Sequence, residues 1–155
     1  MIQFMLIAAP RSGTAWAANW LTTDLSLCLH EPTARWPYPE WDQLKSERRL
    51  GIACTVSAVQ HLAFLQAHPA RKVILHRDLA EIRTSMTKLG IPGDYDATVL
   101  DQIAGQHHAW TDLFNRPAPI YEYLLELPFD DVRHQELIHF NIQNQTLIQE
   151  LQSAS

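Results

Sequence analysis

The chain of 155 residues has the length of one domain with its own core, and no internal repeat, low-complexity stretch or linker divides it. Its 46% hydrophobic and 19% charged residues are the composition of a soluble globular protein. A net charge of −5 argues against a general nucleic-acid surface, so a polyanionic ligand needs a locally basic site on an acidic body.

In chain order, Ile2 to Ala8 is an apolar run that predicts one buried strand. It is too short to span a bilayer and has no basic flank before it, which predicts no signal peptide or membrane anchor and a cytoplasmic location. Pro10 stops the run, Arg11-Ser12-Gly13-Thr14 makes a tight polar turn, and Ala15 to Leu21 reads as helix. Leu25 to Leu29 suits a second strand ending in His30-Glu31-Pro32. Thr33 to Trp41 is rich in Pro and Trp and reads as irregular, and Glu40 to Arg49 as a short surface helix.

Gly51 to Val56 predicts a third strand, with Ser57 as N-cap of a helix through Gln66. Lys72 to His76 predicts a fourth strand, followed by a helix over Asp78 to Leu89 that Gly90 and Gly93 break. Asp96 to Asn115 reads as a longer helix, Pro119 to Tyr123 as a fifth strand, and Phe129–Phe140 and Asn144–Leu151 as closing helices. Strands that are apolar on both faces and alternate with helices predict an α/β fold, a three-layer parallel sheet of about five strands. Ligands of such sheets sit beyond the carboxyl ends of the strands, where Pro10–Thr14, His30–Glu31 and His76–Ser85 should meet.

Cys28 and Cys54 lie in apolar runs and read as buried free thiols of a reducing compartment, without metal-ligand spacing. His107 and His108 are adjacent on the expected helix and point apart, so no metal site is expected there.

A strand, a short loop with Gly and then a helix is the layout of a phosphate cradle. Arg11 offers a planar fork suited to oxyanions, and Thr14 a hydroxyl. The loop is not a Walker A sequence, which needs a Lys directly before its Ser/Thr, and the third strand ends without a magnesium-holding carboxylate. At the fourth strand, Arg77 can fork onto a phosphate and Ser85 can add a hydroxyl, while Asp78 with Glu81 forms a capping-box-like pair.

Pro10-Arg11-Ser12-Gly13-Thr14-Ala15-Trp16 resembles the 5′-phosphosulfate loop of the P-loop sulfotransferases, Pro-Lys/Arg-Ser-Gly-Thr-Thr-Trp/Leu, with Ala15 at the second Thr. His76-Arg77-Asp78-Leu79-Ala80-Glu81-Ile82-Arg83-Thr84-Ser85 resembles the family's Arg-Asn/Asp-Pro-x-Asp/Glu-x-x-x-Ser, with Leu79 in place of Pro. Ile120 to Pro128 is more weakly similar to its Tyr-Glu-Asp-Leu-x-x-Asp-Pro stretch. Many members carry a further Arg/Lys-Gly loop, to which Asn144-Gln145-Thr146-Leu147 does not correspond.

The resemblance implies a P-loop nucleoside triphosphate hydrolase-like fold of sulfotransferase type over residues 1–155. It implies 3′-phosphoadenosine-5′-phosphosulfate (PAPS) as co-substrate and no metal. Arg11, Ser12, Gly13, Thr14 and Ala15 would hold the 5′-phosphosulfate, with Arg11 stabilising charge on the leaving bridge oxygen. Arg77 and Ser85 would hold the 3′-phosphate.

The resemblance also points to Glu31, and second to His30, as the base that takes the proton of an acceptor hydroxyl or amine. It places Trp36, Tyr38 and Trp41 in the region of the acceptor, a small molecule or carbohydrate. Nucleic acid and membrane are not expected partners, and the sequence specifies no oligomeric state. Two other classes fit the residues: an ATP/Mg-dependent P-loop phosphotransferase, and a non-catalytic nucleotide-binding protein of the same fold.

Overall fold

The computed structural model describes residues 1–34, 36, 37, 40–55, 60–92 and 94–139. The expected Ser57 cap, the residues after His139 and Tyr38 lie outside the described residues. Five strands form one all-parallel sheet: β1 (Phe4–Ala8), β2 (Ser26–His30), β3 (Arg49–Cys54), β4 (Arg71–His76) and β5 (Gln106–Ala109). Their order across the sheet is β2-β3-β1-β4-β5. The helices are α1 (Thr14–Trp20), α2 (Leu62–Ala67), α3 (Leu79–Lys88), α4 (Thr98–Asp101), α5 (Asp112–Asn115) and α6 (Pro117–Leu125). Residues 131–139 are also helical.

β1 explains why the sheet has two cores. Alternate side chains on a strand point to opposite faces. Phe4, Leu6 and Ala8 join Trp16, Trp20, Ile120 and Leu124 on one side, which α1 and α6 cover. Met5 and Ile7 join Trp41, Leu65, Ile82 and Leu100 on the other, which α2, α3 and α4 cover. All five residues of β1 are buried, as an internal parallel strand requires.

β1 and β4 are neighbours, paired from Phe4↔Arg71 to Ala8↔Leu75. The helix after β1 lies on one face of the sheet and the helix after β4 on the other. The connections that leave β1 and β4 therefore part at the carboxyl ends of the two strands and leave a crevice between them.

Three predicted elements differ from the structure. The stretch Asp96–Asn115 is not one helix: α4 and α5 flank β5, which pairs with β4 from Val73↔Gln106 to His76↔Ala109. Gly105 permits that approach, since a Cβ there would stand 2.5 Å from the Lys72 carbonyl oxygen. Conversely, Pro119–Tyr123 is not a strand but part of α6, where Ile120, Tyr121, Leu124 and Leu125 form the buried stripe. Pro117 suits its first turn, where a missing N–H costs no helical bond. The expected helix over Glu40–Arg49 shrinks to a 3₁₀ turn at Glu40–Gln43.

Gly51 faces Phe4 across the β1–β3 pairing, and a Cβ at Gly51 would lie 2.2 Å from the Phe4 ring. The ring is fully buried and has no free space to retreat into. Gly51→Ala should therefore destabilise the fold by about 1–3 kcal/mol through overpacking, read from the midpoint of urea unfolding. An unchanged midpoint would mean that Phe4 repacks without strain.

Candidate active site

The loop after β1 bends through two residues with positive φ, Arg11 at 63° and Gly13 at 79°. Glycine takes this conformation without a Cβ penalty; arginine holds it at a cost. Ser12, between them, is fully buried, and its hydroxyl has no hydrogen-bond partner among the described residues. Arg11 and Ala15 are exposed, while Thr14 is buried at the start of α1. The Thr14 hydroxyl lies 3.2 Å from Nε2 of His30 at the end of β2.

Glu31 follows His30 with φ 43°, so the chain has already left the strand and the alternation of side chains no longer applies. Both His30 and Glu31 therefore line the crevice, where an extended strand would have turned them to opposite sides. Glu31 Oε1 accepts hydrogen bonds from the Thr55 amide and hydroxyl, each 2.6 Å, which ties the end of β2 to the end of β3. Glu31 Oε2 is buried and has no partner among the described residues.

The end of β4 supplies the second cation. The Arg77 guanidinium stacks 4.3 Å over the Trp110 ring, pairs with Glu81 at 3.1 Å and donates to the Arg11 carbonyl oxygen. Arg11 Nε in turn donates to the Ser85 hydroxyl at 3.3 Å. The Pro10–Thr14 loop and the His76–Ser85 segment, distant in sequence, thus meet side by side. Asp78 caps α3 by accepting the Glu81 amide, as its spacing predicts, and Arg83 turns to Asp94 on the surface.

A cleft of about 660 Å³ runs along this face between the Arg11–Ala15 loop, His30, Glu31 and Thr55. A smaller groove of about 390 Å³ adjoins Arg77 and Ser85. The first is within the size range of small-molecule sites.

The aromatic residues are distributed differently from expectation. Trp41 is fully buried in the core, its Nε1 donating to the Trp36 carbonyl at 2.9 Å, so it cannot offer a face to an acceptor. Trp36 packs half-buried against the same core. The cleft is instead bordered by Trp16, Asn19, Met86 and Ile91. Trp16 belongs to the first core as well as bordering the cleft. Met86 and Ile91 could have been found from their nearness to Ser85 in sequence.

The histidines divide by surroundings. His68 and His134 are buried, bonded to Asp42 and to the Leu113 carbonyl. His76 Nε2 lies 2.7 Å from His107 Nδ1, and burial, with the neighbouring His107, pulls the His76 pKa down against the opposing pull of Asp101. His107 and His108 sit on a strand, not a helix, but still point to opposite sides. Cys28 and Cys54 are both buried free thiols. Burial, with Cys54 nearby, pushes the Cys28 thiol far up, which makes it a packing group and not a nucleophile. Among the described residues no three His, Cys, Asp or Glu side chains cluster as metal ligands, and no helix is long and apolar enough to cross a membrane.

No protein-family model matches the chain, and no curated protein matches it.

Proposed function

We propose that the chain is a small sulfotransferase of P-loop type that moves a sulfuryl group from PAPS to an acceptor hydroxyl or amine. The observation that carries this reading is the contact between its two motifs. Arg11 reaches Ser85, and Arg77 reaches the backbone of Arg11, at the ends of adjacent parallel strands. A nucleotide with phosphate at both 5′ and 3′ positions requires two such anchors close together.

In this reading Arg11, Ser12, Gly13 and Thr14 hold the 5′-phosphosulfate, with Ala15 beside them. The unpartnered, buried Ser12 hydroxyl offers a hydrogen bond that the loop leaves unused. Arg77 and Ser85 hold the 3′-phosphate. The Glu81 carboxylate of the Arg77–Glu81 pair is exposed to solvent, so a phosphate dianion can displace it from the guanidinium. Arg11 stabilises charge developing on the bridge oxygen as the S–O bond breaks. Glu31 Oε2 takes the acceptor proton, while Thr55 fixes the other carboxylate oxygen. β3 runs out through Ala53, Cys54 and Thr55 with no carboxylate to hold magnesium, which favours sulfuryl over phosphoryl transfer.

The test is thermal unfolding with 3′-phosphoadenosine-5′-phosphate (PAP), with ATP and magnesium, and without ligand. PAP should raise the melting temperature without metal. At one hundred times its dissociation constant it stabilises by about 2.7 kcal/mol. ATP with magnesium should do little. Equal stabilisation by both ligands would overturn the 3′-phosphate assignment and favour a phosphotransferase. Stabilisation by PAP without transfer to any acceptor would leave a nucleotide-binding protein.

A further inference from the structure

The face of α3 that borders the smaller groove carries Ala80, Glu81, Thr84, Ser85 and Lys88. These positions recur three and four residues apart and therefore lie along one side of the helix. Ile82 turns the other way, into the core, and the half-buried Met86 packs against that core while bordering the larger cleft. Arg77 closes the groove at the β4 end and Lys88 at the other.

The charges of this groove are unevenly committed. Arg77 is engaged by Glu81, by the Trp110 face and by the Arg11 carbonyl. Lys88 is exposed, and among the described residues nothing pairs with its ammonium. With Glu81 offsetting Arg77, Lys88 gives the groove its net positive charge on a chain whose overall charge is −5. Ala80 has only a methyl group and leaves space between the two cations. The Thr84 hydroxyl donates to the Ala80 carbonyl, so its lone pairs stay available to a lysine or a protonated ligand oxygen.

We infer that Lys88 is a direct ligand of the 3′-phosphate and sets the preference for a 3′-phosphorylated nucleotide. This rests on the sulfotransferase reading of the same site. Arg77 supplies a fixed planar fork from the strand end. Lys88 supplies a mobile point charge from the far end of the groove, on a four-carbon stem that reaches the phosphate when it arrives. A nucleotide with a free 3′-hydroxyl offers Lys88 nothing to bind.

The test measures the affinity of the whole chain for PAP and for adenosine-5′-phosphosulfate (APS), which lacks the 3′-phosphate, by titration calorimetry. Lys88→Met should weaken PAP about tenfold and leave APS within about twofold, since only the first ligand loses a charged hydrogen bond. Lys88→Arg should stay within about threefold of the wild type for PAP, because the charge is kept. Lys88 is exposed, so both variants should melt close to the wild type, which the same samples show. Unchanged PAP affinity in Lys88→Met overturns the inference alone, as does an equal loss for PAP and APS. A wild-type chain that binds neither nucleotide overturns the sulfotransferase reading and this inference together.

Discussion

Glu31→Gln should lower the rate of sulfuryl transfer from PAPS by about a hundredfold or more, while PAP binding stays unchanged. That loss corresponds to about 2.7 kcal/mol of barrier. The substitution keeps the shape of the side chain, and an amide oxygen can still accept from the Thr55 amide and hydroxyl that hold Oε1. What disappears is a carboxylate oxygen able to take a proton, and Oε2 is the oxygen without a partner. His30 is the comparison. It is exposed and bonded to Thr14 of the loop, so His30→Ala should disturb ligand position more than proton transfer. Transfer is followed from PAPS across phenols, sugars and amines, with PAP binding measured separately. Normal turnover in both variants would place the base elsewhere; a loss confined to His30→Ala would move the role to the imidazole.

The largest expected effect on stability is at Trp20. Trp20→Ala should cost about 3–5 kcal/mol, the range for truncating a large aromatic in a close-packed core. The side chain is fully buried. It stacks on Trp16 with ring centroids 5.3 Å apart, touches Tyr121 at 5.3 Å and meets His134 edge-on at 5.5 Å. These rings join α1, α6 and helix 131–139, and no single neighbour can fill the void. Because Trp16 also borders the cleft, the variant should bind PAP more weakly even where it remains folded. Denaturant unfolding followed by tryptophan fluorescence reads the first effect. A loss under about 1 kcal/mol would mean that the three helices close over the gap.

The parts of the fold that could be read from sequence are those where local signals agree. β1 is an unbroken apolar run ended by Pro10, and β4 is one ended by His76 and Arg77, each followed by a capped or glycine-started helix. The parallel α/β pattern puts their carboxyl ends on one edge of the sheet, while the strand order makes them neighbours and so brings Arg11, Arg77 and Ser85 together. β5 was hidden because Gln106-His107-His108-Ala109 has no strand-like apolar content. Its pairing is decided by β4 and by the room Gly105 leaves over Lys72. The Tyr-Glu-Tyr alternation inside α6 imitates a strand, and only its packing on the first core reveals the helical stripe. Trp41 stood among prolines and polar residues, so nothing nearby marked it as the plug of the second core. The joint exposure of His30 and Glu31 to the cleft depended on a left-handed residue that a strand pattern does not foresee.

The strand order has a consequence for the history of each molecule. β1 is made first and is the most apolar strand of the sheet, yet its partners lie at positions 51–54 and 71–75. A ribosome adding about 5–20 residues per second delivers the second partner only after several seconds. Until residues 51–54 emerge Phe4-Met5-Leu6-Ile7-Ala8 has no sheet neighbour at all, and until residues 71–75 emerge one of its edges stays unpaired. Closure of the sheet therefore depends on non-local contacts, the kind that slows folding and lengthens exposure to other nascent chains. The strand at the centre of the finished molecule is the one most open to aggregation while the molecule is being made.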